Sequence, residues 1–132
     1  MAKHNEIGKM GEEIAAHWLV RKNFTILERN YNKKCGEIDI VARETSGKVH
    51  FIEVKTVSYE TKYDLENAVS RKTWRPEENV HTQKQKKLKN TISIWLNERK
   101  YSGDFVIDIA AVRLVLHEKY GSIKFIENVI FE

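Results

Sequence analysis

The chain has 132 residues, 41% hydrophobic and 32% charged, with a formal net charge of +4. That length suits a single domain over 1–132 with a proper core, and no apolar run approaches the roughly 20 residues of a membrane helix, which argues against a membrane protein. The lone cysteine, Cys35, excludes an internal disulfide and a multi-thiolate zinc site; with no signal-peptide stretch in M-A-K-H-N-E-I-G, a reducing, cytoplasmic setting is expected. The mild positive charge permits a polyanionic partner without requiring one.

Residues 5–22 carry Ile7, Met10, Ile14, Ala15, Trp18 and Leu19 on one helical arc. Asn5 is the expected N-cap, and Lys22-Asn23 the expected end. At about 100° per residue Glu12 falls at the edge of the arc, beside Ala15, Ala16 and Leu19. Glu13 lies outside it, with Lys9 and His17. Gly8 and Gly11 in the first turns cost about 1 kcal/mol each relative to alanine, so they point to a close neighbour, either the sheet or a phosphate backbone.

Phe24 to Tyr31 reads as a first strand, with Asn30, Asn32, Lys33 and Lys34 making a polar turn after it. The stretch from Cys35 to Val57 then reads as a hairpin, C-G-E-I-D-I-V-A-R-E and V-H-F-I-E-V-K-T-V, turning at Thr45–Lys48. Strand alternation puts Glu37, Asp39 and Val41 on one face and Ile38, Ile40 and Ala42 on the other. In the second arm Phe51, Glu53, Lys55 and Val57 share a face, opposite Ile52 and Val54. Apolar residues on both faces mark central, covered strands, where charged side chains are costly unless paired or bound to a metal.

Residues 58–78 are the least regular and hold the only proline, Pro76. They read as a long loop, of the kind that is functional in compact domains, with a helical turn around Leu65 to Val69. A second helix over Thr82 to Arg99 has an apolar stripe of Leu88, Ile92, Trp95 and Leu96. Its basic first half opposes the helix dipole, so that end is positive for some other reason. Asp104 to Leu116 reads as a long strand, Tyr120-Gly121-Ser122 as a turn, and Ile123 to Phe131 as a last strand. The order α-β-β-β-α-β-β predicts an α/β fold: a central mixed sheet flanked by helices, one on each side.

Glu53 and Lys55, two apart on a strand, share a face about 6.5–7 Å apart. With the hairpin turning at Thr45–Lys48, Asp39 comes near Glu53. Two converging carboxylates suit a hard divalent cation, and a lysine beside it can orient water or stabilise developing charge. This is the pattern of metal-dependent phosphodiester hydrolysis; a cross-strand salt bridge between Lys55 and either acid satisfies the same spacing. Between Arg71 and Lys89 the cations Arg71, Lys72, Arg75, Lys84, Lys86, Lys87 and Lys89 face only Glu77 and Glu78, with Tyr59, Tyr63 and Trp74 nearby. Such a stretch can contact phosphates and stack on bases, or form a solvated surface. The five histidines show no ligand spacing; His81, beside the basic helix, is the one to watch.

The hairpin G-E-I-D-I-V-A…F-I-E-V-K-T resembles the small bacterial family UPF0102 (the YraN family), which is similar to archaeal Holliday-junction resolvases. The resemblance extends to Gly8, Gly11, Glu12 and Ala15 (G-x-x-G-E-x-x-A), to Ile26–Tyr31, to a basic motif from Val80 to Leu88 with Lys84 and Gln85, and to Ile107-Asp108-Ile109. It implies a restriction-endonuclease-like, PD-(D/E)XK fold with Mg²⁺ or Mn²⁺ as cofactor. Asp39, Glu53 and Glu12 would be metal ligands, Lys55 the catalytic lysine, and Lys84, Gln85, Lys87, Arg71, Lys72 and Arg75 DNA contacts. Glu37 matches the G-E-I-D element, either binding metal through water or fixing the turn. Asp108 matches a family position, although the favoured reading is a buried strand aspartate paired with a nearby lysine or arginine. The loop at 58–78 is longer than the family's pattern leads one to expect. The expected function is a metal-dependent DNA endonuclease acting on branched or damaged DNA. The alternatives are a non-catalytic nucleic-acid-binding module and a recruitment protein of a DNA-processing complex. Resolvases of this type act as dimers, so the resemblance also implies a homodimer.

Overall fold

The apolar arc of the first helix finds its partner in the sheet. In the computed structural model, which describes residues 4–60, 62–71, 82–118 and 120–129, α1 spans His4–Arg21. Asn5 therefore lies inside the helix rather than capping it. Ala15, Ala16 and Leu19 are buried and Ile7, Ile14 and Trp18 partly so, whereas Met10, expected on the arc, is exposed. Asn23 ends the helix in the left-handed region (φ 71°), and the Phe24 N–H reaches back to the Leu19 carbonyl at 2.9 Å, a termination that asparagine tolerates.

Five strands follow: β1 (Thr25–Lys33), β2 (Gly36–Arg43), β3 (Val49–Tyr59), β4 (Phe105–Val115) and β5 (Tyr120–Ile126). They lie in the order β1-β2-β3-β4-β5, with only β3 and β4 parallel. A parallel pair needs a crossover, and this one carries α2 (Lys62–Arg71) and α3 (Thr82–Arg99). The sheet is thus mixed, with a helix on each face as expected. On one side α1 covers Ile40, Ala42, Ile52, Ala110, Val112 and Leu114. On the other, Leu88, Ile92 and Trp95 of α3 cover Ile38, Val41, Val49 and Phe51. Full burial of a side chain such as Leu19 or Phe51 is worth about 1.5–3 kcal/mol.

Two expectations need correction. The stretch read as a loop at 58–78 continues β3 to Tyr59, and the helical turn expected around Leu65 to Val69 is present as the longer α2, with Leu65 buried; residues 61 and 72–78 lie outside the described residues. Tyr120-Gly121-Ser122 is not a turn but the start of β5, with Gly121 opposite Leu114. The reversal before it contains a 3-10 turn at Leu116–Glu118.

The paired glycines of α1 separate cleanly. A Cβ on Gly11 would lie 1.9 Å from Thr56 Oγ1, while one on Gly8 would meet nothing within 4 Å. The close neighbour is therefore the sheet, and only Gly11 is needed for it.

Candidate active site

The site begins where β2 and β3 part. Their ladder runs from Arg43↔Val49 to Ile40↔Ile52 and stops. Beyond it, the Val54 N–H donates to Asp39 Oδ2 at 2.7 Å. A carboxylate has replaced a strand as the acceptor. On β1, the pairs Arg29↔Ile40 and Tyr31↔Ile38 put Asn30 opposite Asp39, and Asn30 sits in the left-handed region at φ 53°. Alternation breaks at this point. Ile38 packs with Val41 on the α3 side, while Ile40 and Ala42 pack on the α1 side. The expected common face for Ile38, Ile40 and Ala42 is thus overturned, because a period of two holds only along an unbroken strand. In β3 the alternation holds: Phe51 faces α3, and Ile52 and Val54 face α1.

The separation of the strands brings charges from both faces to one place. Asp39 and Glu53 are buried. Glu53 Oε1 lies 2.6 Å from Lys84 Nζ of α3 and 3.7 Å from Lys55 Nζ of its own strand. Burial, then repulsion from Glu53, pushes Asp39 up to about 8 against the help of the Val54 N–H; Glu12 and Glu37 push it further. Glu12, half-buried on α1, is also raised, by burial and then by Glu37 and Glu53, against Arg29 and a hydrogen bond with Asn30. Burial lowers Lys55, and the adjacent Lys84 ammonium adds to this, against the pull of Glu53 and Asp39. For Lys84 burial acts downward, but the hydrogen bond to Glu53 outweighs it and its proton is held more tightly than usual.

Of these groups Glu53 and Lys84 line a cleft of about 400 Å³, together with Gly36, Glu37, Gln83, Lys87 and Leu88. Gly36, at φ 154°, lets α3 come close: a Cβ there would lie 3.0 Å from Thr91 Oγ1 and 3.3 Å from Lys87 Cβ. Glu37 is exposed on the cleft wall. Among the described residues no three histidine, cysteine, aspartate or glutamate side chains converge closely enough to hold a metal ion as they stand. The donor set nevertheless suits a hard cation: buried Asp39 and Glu53 repel each other, and the free acceptor capacity of Glu53 already attracts two ammonium groups.

Of the DNA contacts expected from the sequence, Lys84 is engaged with Glu53. Lys87 stands exposed on the cleft, Gln85 is half-buried on α3, and Arg71 is the last residue of α2. Lys72, Trp74, Arg75 and His81 lie outside the described residues. Sequence reasoning missed Lys84 as the partner of Glu53, and it missed Asn30 and Arg29 as neighbours of Glu12. The only trace of the first was a positive helix start set against its own dipole.

Asp108 belongs to a different cluster. It pairs with Ile52 in register, so alternation puts it on the α1 side, away from Glu53. Fully buried, it meets His50 Nδ1 at 2.5 Å and accepts the Asn128 N–H at 2.8 Å. The expected lysine or arginine partner is replaced by a histidine. His50 Nε2 lies 3.4 Å from Glu44 Oε1, and the ring meets Phe24 edge-on. Burial works against the His50 proton, but Asp108 and then Glu44 outweigh it and raise its affinity.

Residues 11–112 match the uncharacterised protein family UPF0102. The chain belongs to this family. Relatives include UPF0102 proteins of Campylobacter fetus, 34% identical over 94% of this chain and 93% of that protein, and of Helicobacter pylori, 33% identical over 98% and 95%. A UPF0102 protein of Flavobacterium johnsoniae is 50% identical over 44% of this chain and 46% of its own. Among solved structures, Pyrococcus furiosus SfsA in complex with Ca²⁺ is similar at a TM-score of 0.33 and 15% identity, over 95% of this chain and 64% of that one, too loosely to carry an argument. Among the described residues no helix is long and apolar enough to cross a membrane.

Proposed function

We propose that this UPF0102 chain is a divalent-metal-dependent endonuclease acting on DNA phosphodiester bonds, with branched or damaged DNA as the substrate class. The observation that carries this reading is the buried Asp39–Glu53 pair with Lys55 beside Glu53, and a cleft that Glu53 lines together with Lys84 and Lys87. Carboxyl groups crowded together inside a sheet are costly to a fold and useful to a cation site.

Asp39 and Glu53 would hold Mg²⁺ or Mn²⁺, with Glu12 completing the set from the α1 side. Such a cation supplies Lewis acidity toward a phosphoryl oxygen and lowers the pKa of bound water. The chain's own groups do the rest. Lys55, lowered by burial, gives up its proton more readily than an exposed lysine. Lys87 offers an ammonium to a backbone phosphate at the cleft edge. The Val54 N–H keeps Asp39 aimed.

The test is nicking of labelled branched, flapped and linear DNA with Mg²⁺ or Mn²⁺, using Glu53→Ala and Lys55→Ala controls. Cleavage by the wild type alone supports the enzyme. Equal cleavage by all three proteins sinks it. Salt-sensitive DNA binding without cleavage favours the non-catalytic binding module instead.

A further inference from the structure

We propose that Lys84 is the site's built-in counter-ion: its ammonium holds Glu53 while no divalent cation is bound, and is released toward substrate phosphate when one binds. The proposal rests on reading Asp39 and Glu53 as a cation site.

The geometry distinguishes the two lysines on Glu53. Both approach the same oxygen, Oε1, Lys84 at 2.6 Å and Lys55 at 3.7 Å. Lys55 is fixed in a central strand with its side chain 20% exposed; Lys84 starts from the first turn of α3 with its side chain 48% exposed. A divalent cation needs the lone pairs that an ammonium now occupies. Of the two, Lys84 can leave at lower cost, because its four-carbon stem can carry the charge into water. Lys55 has less freedom to leave and remains beside the acids.

The cleft also gives Lys84 a destination. It lines the cleft with Lys87, one helical turn on, so both ammonium groups sit on one side of α3. Two lysines there, against the helix dipole, make an anion-seeking surface once one is no longer neutralised by Glu53. Cation binding and phosphate binding are then coupled through a single side chain. The coupling must be reciprocal: each ligand raises affinity for the other by the same factor. Lys84 also spares the empty acids some of their mutual repulsion, which explains a basic residue at a helix position that disfavours it.

The test measures Mn²⁺ affinity directly, by electron paramagnetic resonance of the free ion, without DNA and without turnover. The proteins are the wild type, Lys84→Met, Lys84→Arg and Glu53→Gln, each checked for folding by circular dichroism. Lys84→Met is expected to bind Mn²⁺ roughly tenfold more tightly than the wild type, within the usual range of site–site coupling. Lys84→Arg should bind no more tightly than the wild type. In a parallel titration with a short duplex, Mn²⁺ should strengthen DNA binding of the wild type more than that of Lys84→Met. Unchanged or weaker Mn²⁺ affinity in Lys84→Met, with wild-type binding that Glu53→Gln abolishes, overturns the counter-ion and leaves the cation site standing. If neither the wild type nor Lys84→Met binds Mn²⁺, or if Glu53→Gln binds it as well as the wild type, the cation site itself falls and the counter-ion with it.

Discussion

Asp39 and Asp108 are both buried strand aspartates, and they have opposite surroundings. Asp108 is answered on each oxygen, by His50 and by the Asn128 N–H. Asp39 has the Val54 N–H and, around it, Glu53, Glu12 and Glu37. A satisfied buried charge fixes structure: the Asp108 cluster ties β3, β4 and the chain after β5 together. A buried carboxyl crowded by like charges strains the fold instead. Burial alone therefore identifies neither role; the balance of partners does.

The comparison breaks first at Asp108. Asp108→Ala leaves His50 buried beside Glu44 without its main partner, and should cost about 3–5 kcal/mol in urea unfolding. A loss below about 1 kcal/mol would show that the pair is not structural. At the other region the large effect should be on chemistry. Glu53→Gln and Lys55→Ala are expected to reduce nicking by at least about 100-fold, with urea midpoints close to the wild type. A collapse of stability in both would move the acids into the structural class.

A finer separation comes from pH. In the metal-free protein Asp39 goes from its ordinary 3.8 to about 8 on folding. Between those values the folded chain holds a proton that the unfolded chain has released, so stability falls as pH rises. Asp39→Asn should flatten that fall in urea titrations between about pH 5 and about pH 8, and Mg²⁺ should restore stability at the alkaline end. His50 gives a slope of the same sign: its stabilisation is fully present below its ordinary 6.5 and is lost as pH rises from there through its raised value. That slope should persist in Asp39→Asn and disappear in Asp108→Ala. The smallest effect concerns the seating of α1. Gly11→Ala must displace Thr56 and should cost about 1–3 kcal/mol, whereas Gly8→Ala should stabilise by about 1 kcal/mol. If moving α1 carries Glu12 away from Asp39, the pH slope of Gly11→Ala should also be shallower than that of the wild type.

Much of this was legible in the residues. The turn at Thr45–Lys48, the two-faced burial of β3 and the shared side of Glu53 and Lys55 follow from a period of two along a regular strand, and β3 is regular. Glu12 was placed at the edge of its arc because α1 is an ordinary helix with the sheet against it. What could not be read depended on departures from regularity. The break at Asp39 lies opposite Asn30, which is in a left-handed conformation on the neighbouring strand. The Lys84–Glu53 pair joins residues 31 positions apart. Of α2 only the middle, around Leu65 to Val69, was legible: among its described side chains Leu65 alone is buried, too little to mark the helix's full length. Tyr120-Gly121-Ser122 has the composition of a turn but lies in a ladder, since the reversal is completed before it.

A hydrogen-bonded sheet ordinarily insulates its two faces, because a continuous wall of backbone keeps side chains on one side from sensing those on the other. Where β2 and β3 part, that wall has a window, framed by Asp39 and the Val54 N–H. Glu12 looks in from the α1 side and Glu53 from the α3 side, and each raises the proton affinity of Asp39 between them. An anion settling against α3 would thus be felt on α1, through an opening one carboxylate wide.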